Sequence, residues 1–214
     1  MADALRRISG AVGPLETILD RPPAAPRAAV VFAHPLPTEG GTMHTKVVYQ
    51  AAKALARVGC VVLRFNFRGV GLSAGAWDGG RGELDDFRVA VEFMAGEYPQ
   101  LELWAGGFSF GSYVAATVGA DDDRVCALIA VAPPVDRYEF ASVKLSRKPK
   151  FIVHGERDEL ISLNMVRHFY AQLSEPKELV EIDGANHLFD GQAAEVGDAL
   201  ADLLEDFSCR TPSS

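Results

Sequence analysis

The sequence predicts an α/β fold, in which a mostly parallel, twisted sheet is covered by helices on both faces. Short apolar runs typical of buried strands alternate along the 214 residues with segments whose apolar residues recur at helical spacing. Such alternation favours parallel pairing, because a parallel connection has to cross back over the sheet and usually does so through a helix. The length suits a single domain, which we expect to span residues 1–214 with a frayed tail at 211–214.

The composition is that of an ordinary globular protein. Hydrophobic residues make up 48% and charged residues 23%, which excludes the disordered and fibrous classes. The net charge of −8 argues against a nucleic acid or an anionic membrane as partner, because binding to phosphate requires a cationic surface. No run of 18 apolar residues occurs, and no apolar segment follows Arg6 and Arg7, so we expect a cytoplasmic protein. The oligomeric state stays open.

The three cysteines show neither the spacing of a zinc site nor that of a disulfide framework. Cys60 and Cys126 lie in apolar, strand-like segments, where free thiols behave as small hydrophobic side chains, and Cys209 is near the C-terminus. We therefore expect free cysteines. No motif indicates a metal, a nucleotide or another cofactor.

Seven segments are predicted to be strands. Each is a short apolar run that ends at a charged residue, a glycine or a proline. Pro22 and Pro23 end the first run and Pro35 ends the second, because proline has no amide N–H for a sheet. In chain order the predicted strands are residues 15–20, 28–33, 60–67, 101–105, 125–132, 151–154 and 178–182.

Five segments are predicted to be helices, because their apolar residues recur on one helical face. Gly59 directly follows the first of them, a position where glycine commonly ends a helix. Glu83, Asp85 and Asp86 are expected to form an acidic first turn in the second, which the helix dipole favours. In chain order the predicted helices are residues 46–58, 83–98, the segment after Gly111, 163–173 and 193–207.

A G-x-S-x-G pattern lies between the fourth predicted strand and the helix that follows it. Gly107, Ser109 and Gly111 occupy its fixed positions, and a strand before and a helix after are the context of a nucleophile elbow. A serine at the tip of so sharp a turn has a strained backbone that flanking side chains would obstruct, so both neighbours are glycines. The pattern predicts that Ser109 exposes its hydroxyl as a nucleophile.

A nucleophilic serine needs a general base and an acid that orients the base. Asp158 follows the strand 151–154 and His187 follows the strand 178–182, and parallel sheets gather functional groups at such strand ends. We therefore expect Ser109, His187 and Asp158 to form a catalytic triad. Asp136 also follows a strand and is the alternative acid.

Three polar residues are expected to be structural. His34 and His154 each end a strand, and we expect them to be buried and hydrogen-bonded to nearby backbone. Arg68 is expected to tie loop carbonyls together through its guanidinium group.

Together these motifs resemble the small, cap-less serine hydrolases of the α/β-hydrolase superfamily, of the dienelactone-hydrolase-like or serine-aminopeptidase-like sort. The order Ser109, Asp158, His187 matches that fold, and His-Gly-x-x-Asp at a strand end favours Asp158 over Asp136. The segments 34–43 and 65–73 are similar to the oxyanion loop and to the Arg-Gly-x-Gly-x-Ser turn of these proteins. The resemblance covers residues 15–207.

The resemblance implies hydrolysis of carboxylic esters through an acyl-enzyme on Ser109, with a small ester or related acyl compound as substrate. Thioester hydrolysis and aminopeptidase-like amide hydrolysis are the nearest alternatives. A catalytically silent hydrolase fold that serves as a binding module is an alternative of another class, and such a module would lack a triad or oxyanion residue.

An oxyanion hole needs backbone N–H groups directed at the developing negative charge. Phe110, the residue after the nucleophile, supplies one. Pro35 and Pro37 have no N–H, which leaves Leu36 as the donor between them, unless the two prolines only end a strand.

The substrate pocket is expected to be an open cleft. Residues 133–150 leave room for a loop or one short helix but not for a lid domain, so we expect a preference for short acyl groups. Ordinary core packing would explain the candidate wall residues equally well. These residues are Leu36, Phe108, Phe110, Tyr138, Phe140, Ile161 and Leu188.

Overall fold

The strands form an eight-stranded sheet within residues 6–209, the part of the chain that the computed structural model describes. In chain order they are β1 (Arg6–Gly10), β2 (Gly13–Asp20), β3 (Ala28–Ala33), β4 (Cys60–Phe65), β5 (Glu102–Phe108), β6 (Val125–Val131), β7 (Lys150–Gly155) and β8 (Lys177–Ile182). Their order across the sheet is β1-β2-β4-β3-β5-β6-β7-β8. The six strands β3 to β8 are parallel to one another, whereas β1 and β2 are antiparallel to their neighbours. The carboxyl ends of six parallel strands therefore meet at one edge.

Helices cover both faces of this sheet. They are α1 (Lys46–Arg57), α2 (Arg81–Glu97), α3 (Phe110–Asp121), α4 (Ala141–Leu145), α5 (Leu163–Gln172) and α6 (Ala193–Leu204). Apolar residues of α1 and α6 pack on one face, and those of α2, α3, α4 and α5 pack on the other. The predicted α/β class is confirmed. None of the helices in residues 6–209 is long and apolar enough to cross a membrane.

Most predicted elements lie within a few residues of the observed ones, and the main differences are at the ends of the sheet and in β5. The strand β1 was not expected, because its sequence Arg-Arg-Ile-Ser-Gly is largely polar and is typical of an edge strand. The strand β5 continues through Gly106 to Phe108. A side chain at Gly106 would place its Cβ 2.8 Å from the Phe32 ring, so this glycine lets β5 pass the neighbouring side chain. The tail expected at 211–214 lies outside the described residues.

Cys126 and Cys209 form a disulfide, which corrects the expectation of free thiols. Their Cα atoms lie 6.1 Å apart although 83 positions separate the two cysteines in sequence. Spacing could not reveal this pairing, because only the return of the chain after α6 brings residue 209 to the start of β6. Disulfides are rare in reducing compartments, and the cytoplasmic location stays a prediction. Cys60 is free and buried, and burial raises the pKa of its thiol to about 12.

Arg68 and Asp86 form a buried ion pair that fixes the loop between β4 and α2. The guanidinium group donates to the Asp86 carboxylate over 2.8 to 3.2 Å, and the Arg68 backbone N–H donates to it over 2.9 Å. This corrects two expectations, because Arg68 binds a carboxylate instead of carbonyls and Asp86 lies beyond the first turn of α2, where it is buried against Arg68. Glu83 alone has a terminal role there, and its carboxylate accepts the N–H groups of Asp78 and Gly80.

The Arg68–Asp86 pair yields a stability prediction with a control in the same helix. Replacing Asp86 by alanine leaves a buried guanidinium group without its partner, and the free energy of unfolding should fall by about 3–5 kcal/mol. Asp85 pairs with Arg88 on the surface, so Asp85→Ala should change it by about 1 kcal/mol or less. Urea denaturation followed by circular dichroism measures both values. Equal losses in the two variants would contradict the assigned role.

Candidate active site

Ser109 lies at the junction of β5 and α3 with a backbone that L-residues rarely adopt. Its φ is 50° and its ψ is −121°. The Ser109 N–H donates to the Val131 carbonyl of the neighbouring strand β6 over 2.8 Å. The Ser109 carbonyl accepts the Ser112 N–H at 2.8 Å and the Ser112 hydroxyl at 2.6 Å. The strained turn that the glycine pattern predicts is therefore held by the sheet on one side and by the first turn of α3 on the other.

Gly107 and Gly111 are required by the close approach of backbone atoms around the serine. A Cβ at Gly107 would lie 2.3 Å from the Gly111 carbonyl oxygen, and a Cβ at Gly111 would lie 2.4 Å from the His34 carbonyl oxygen. Any side chain at either position would push α3 away from β5 or from the loop after β3. The glycines thus keep the serine and that loop within a few ångströms of each other.

Ser109, His187 and Asp158 form a continuous hydrogen-bonded chain. The Ser109 Oγ atom is 3.0 Å from His187 Nε2, and His187 Nδ1 is 2.7 Å from Asp158 Oδ2. An ionised carboxylate can only accept, so Nδ1 carries the proton of the neutral imidazole and Nε2 faces the serine hydroxyl as an acceptor. The carboxylate of Asp136 is instead exposed and lies 3.8 Å from the Arg137 guanidinium group. The structure thus brings Asp158, and not Asp136, to the histidine.

The Asp158 carboxylate is held in its ionised form. Burial alone would raise its pKa, but the hydrogen bonds from His187 and from the Ile161 N–H, together with the electrostatic effect of the His187 and His154 side chains, lower the pKa below its usual value. Its second oxygen, Oδ1, accepts the N–H groups of Leu160 at 2.9 Å and Ile161 at 2.8 Å. The negative charge therefore stays next to His187 at neutral pH.

The loop that carries His187 is anchored by two other residues. The Glu159 carboxylate accepts the His187 backbone N–H at 3.2 Å. The ring of Phe108 lies against the imidazole, with 5.6 Å between the ring centres. One contact fixes the backbone of His187 and the other limits the rotation of its ring.

Two backbone N–H groups near Ser109 have the character of an oxyanion hole. Phe110 is the first residue of α3, so its N–H has no acceptor within the helix. Leu36 precedes a 3₁₀ turn at Pro37–Glu39, and its carbonyl accepts the N–H groups of Glu39 and Gly41, both at 3.1 Å. The Leu36 N–H has no acceptor among the described residues. Both groups are therefore available to a ligand.

His34 stabilises the loop that carries Leu36, as a buried histidine bonded to backbone. Its Nδ1–H donates to the Pro35 carbonyl over 2.7 Å, and its Nε2 accepts the Phe67 N–H at 3.1 Å. Burial lowers the pKa of the imidazole to about 4, so the group is neutral at neutral pH. The predicted structural role of His34 agrees with these contacts.

A cavity of about 420 Å³ opens above Ser109. Five of the seven candidate wall residues line it, namely Leu36, Phe110, Tyr138, Ile161 and Leu188. Phe108 and Phe140 are instead core residues, because Phe108 packs beneath His187 and Phe140 packs between Tyr113 and Phe169.

The remaining lining residues were missed by the sequence analysis. Glu39, Arg137 and Glu159 place charges in the wall, and Pro35, Pro134 and Leu160 add apolar surface. All six follow β3, β6 or β7 within a few residues of a candidate. Their place in loops at the carboxyl edge of the sheet was the signal that could have revealed them.

The structure offers a single group of metal-binding side chains within residues 6–209. Glu102, Cys126 and Cys209 bring possible ligand atoms within 4.8 Å of one another. The two cysteines are joined as a disulfide and cannot supply thiolates, so the group does not fit a metal ion.

Comparison with known proteins identifies the family. Residues 24–144 match the serine aminopeptidase, S33, family. The chain belongs to this family, within the α/β-hydrolase superfamily. It is similar over 191 residues to an uncharacterized protein of Rickettsia prowazekii, with 35% identity and with 85% of this chain and 79% of that protein covered.

Two solved structures of serine hydrolases are also similar to this S33 family member. An α/β serine hydrolase homologue from Coxiella burnetii shares 40% identity with a TM-score of 0.91, over 95% of this chain and 98% of that one. An α/β serine hydrolase without a lid from Xanthomonas campestris shares 36% identity with a TM-score of 0.89, over 98% and 96% of the two chains. Residues 133–150 contain the five-residue helix α4 and no lid domain. This agrees with the expectation from the sequence and with that lid-less structure.

Proposed function

We propose that this S33 family member is a serine esterase that cleaves carboxylic esters with short acyl groups. The observation that carries the proposal is the hydrogen-bonded chain from Ser109 through His187 to Asp158, which ends in an open pocket beside two unpaired backbone N–H groups. Such a chain converts a weakly nucleophilic hydroxyl into a nucleophile without a metal or an organic cofactor.

Acylation follows from the positions of the polar atoms. The Ser109 Oγ atom attacks the ester carbonyl carbon while His187 Nε2 takes the hydroxyl proton. The carbonyl oxygen becomes an oxyanion that accepts hydrogen bonds from the N–H groups of Leu36 and Phe110, and Asp158 stabilises the imidazolium ion. When the intermediate collapses, the bond to the alcohol oxygen breaks and His187 returns its proton to that oxygen. An acyl-enzyme on Ser109 and a free alcohol result.

Deacylation repeats these steps with water. His187 Nε2 takes a proton from a water molecule, whose oxygen attacks the acyl carbon, and the same two N–H groups bind the second oxyanion. When this intermediate collapses, the bond between the acyl carbon and Ser109 Oγ breaks, Oγ takes the proton from His187, and the carboxylic acid is released.

The shape of the pocket supports small acyl groups. Its walls include the apolar side chains of Leu36, Ile161 and Leu188, and the segment between β6 and β7 contains only the five-residue helix α4 instead of a lid domain. Each buried methylene adds about 0.8 kcal/mol of binding only while wall remains to bury it. Affinity should therefore rise over a few carbons and then level off.

Hydrolysis of amides next to a free amine is a second candidate function. The carboxylates of Glu39 and Glu159 line the pocket, and either could pair with an ammonium group on the substrate. A comparison of aminoacyl p-nitroanilides with p-nitrophenyl esters distinguishes the two activities.

Ser109 should be the residue that reacts. Ser109→Ala removes the nucleophile without disturbing a core contact, so ester turnover should fall by a factor on the order of 10⁴ to 10⁶. A fluorophosphonate should label the wild-type protein at this serine. The control is Ser162→Ala, because Ser162 is exposed and makes no capping bond. Retention of more than about a tenth of turnover by Ser109→Ala would contradict the proposal.

The two candidate acids should differ sharply in their effect on turnover. Asp158→Asn favours the wrong histidine tautomer, so turnover should fall by roughly 10⁴. Asp136→Asn should change it by less than about tenfold, because Asp136 faces Arg137. Steady-state kinetics of both variants checks this. The opposite ranking would reassign the acid.

Acyl-chain length should set selectivity. We expect kcat/KM on p-nitrophenyl esters to be highest for chains of about two to six carbons, with no interfacial activation, because the open pocket buries few methylenes. A series from acetate to palmitate measures this preference. A maximum at about twelve carbons or more would refute the open-pocket explanation.

A further inference from the structure

His154 lies fully buried beside the Asp158 carboxylate, near the oxygen that faces His187. It is near the end of β7, and its Nε2 atom is 2.9 Å from the Ile161 carbonyl oxygen and 3.6 Å from Asp158 Oδ2. A carbonyl oxygen only accepts, so Nε2 carries the proton and donates it to Ile161. The same N–H group is close enough to Asp158 to act on it electrostatically but too far for a hydrogen bond.

The Ile161 backbone is held from both sides by this arrangement. Its N–H donates to Asp158 Oδ1 over 2.8 Å, and its carbonyl oxygen accepts the hydrogen bond from His154 Nε2–H. The loop 158–161 is thereby closed onto the Asp158 side chain and tied to β7. With Oδ1 engaged by two loop N–H groups, Oδ2 is the oxygen left for His187.

The surroundings of His154 are unfavourable for an imidazole. Its Nδ1 atom is buried and has no hydrogen-bond partner in the described part of the chain. An apolar ring would avoid this unpaired acceptor, so the N–H at Nε2 is the group that distinguishes histidine here.

The protonation state of His154 depends on its burial and on the titratable groups that face it. Asp158 and His187 lie on the active-site side, and Glu181 is its register partner on β8. Burial lowers the pKa of His154 despite the two carboxylates, so the group is neutral at neutral pH. It therefore presents a fixed N–H dipole to Asp158.

We propose that His154 is a positioning residue for the reaction assigned to Ser109. Through the Ile161 carbonyl, His154 holds Asp158 Oδ2 toward His187. The proposal rests on the proposed function. The position of His154 also has an electrostatic consequence, because its N–H dipole reduces the negative charge that Asp158 presents to His187.

The test compares two replacements of His154. His154→Phe keeps a ring and removes the donor, whereas the side-chain amide of His154→Gln can take the place of Nε2–H. The control is Val153→Ala, because Val153 is buried beside His154 in β7 but packs on the other face of the sheet. For each variant, kcat, KM and the pH dependence of kcat/KM on p-nitrophenyl butyrate are measured, together with urea denaturation.

We expect His154→Phe to lower kcat by about 10- to 100-fold with KM within about twofold, because a small displacement of an orienting group has effects of this size. The acid limb of kcat/KM should move to higher pH by roughly 0.3 to 1 unit, because an Asp158 charge that the dipole no longer reduces stabilises the imidazolium ion. His154→Gln should recover most of kcat, and Val153→Ala should lose stability without a change in the pH profile.

An unshifted acid limb in a folded His154→Phe variant, or a kcat loss equal to that of Val153→Ala, would overturn the proposal. A readout independent of turnover is the downfield proton resonance of His187 Nδ1–H, which reports its bond to Asp158. If wild-type protein failed to hydrolyse esters or react with a fluorophosphonate, the proposed function would fail. Even then, a change in the chemical shift of this resonance in His154→Phe, with the wild-type shift restored in His154→Gln, would support the positioning role. An unchanged chemical shift in His154→Phe would refute it.

Discussion

The φ of 50° at Ser109 is maintained because three parts of the chain meet there with almost no space between their backbones. The strand β5 enters the turn, α3 leaves it, and the loop after β3 passes over it against Gly111. A hydrogen bond from the Ser109 N–H to Val131 ties the turn to β6. Because these backbones are in contact, they bring together the Ser109 hydroxyl, the first N–H of α3 and the N–H of Leu36. The other groups of the site are arranged around this point.

Buried polar groups help to fix the loops at this edge of the sheet. Arg68 is paired with Asp86, and both are buried. The neutral imidazole of His34 joins the loop after β3 to the Phe67 N–H. Each of these groups would be unfavourable in the core without its partner, so the partner determines the path of the loop. The loop that carries Leu36 and the loop between β4 and α2 are thereby held in place by the fold itself.

The wall of the pocket combines apolar surface with charge. Glu39, Arg137 and Glu159 line the same cavity as Tyr138 and Leu188. Under the proposed function, the apolar residues would favour an acyl chain and the charges would favour a polar or ionic group at another part of the substrate. Membership of the S33 family is compatible with both, because the fold supports many specificities through its loops.

The sequence by itself determined the α/β class and the candidate residues Ser109 and His187, because these depend on local patterns. Apolar runs and helical spacing specify strands and helices, and G-x-S-x-G encodes a turn within five residues. The family resemblance favours Asp158 over Asp136, but both follow a strand, and only the sheet shows which of the two lies next to His187. His187 follows β8, which pairs with β7 and not with β6, so Asp158 is the acid that reaches it. The remaining features depend on contacts between residues that are distant in sequence. They are the Cys126–Cys209 disulfide, the partner of Arg68, and the burial of Phe108 and Phe140 in the core. Only the packing of strands and helices brings such residues together, and no local pattern records it.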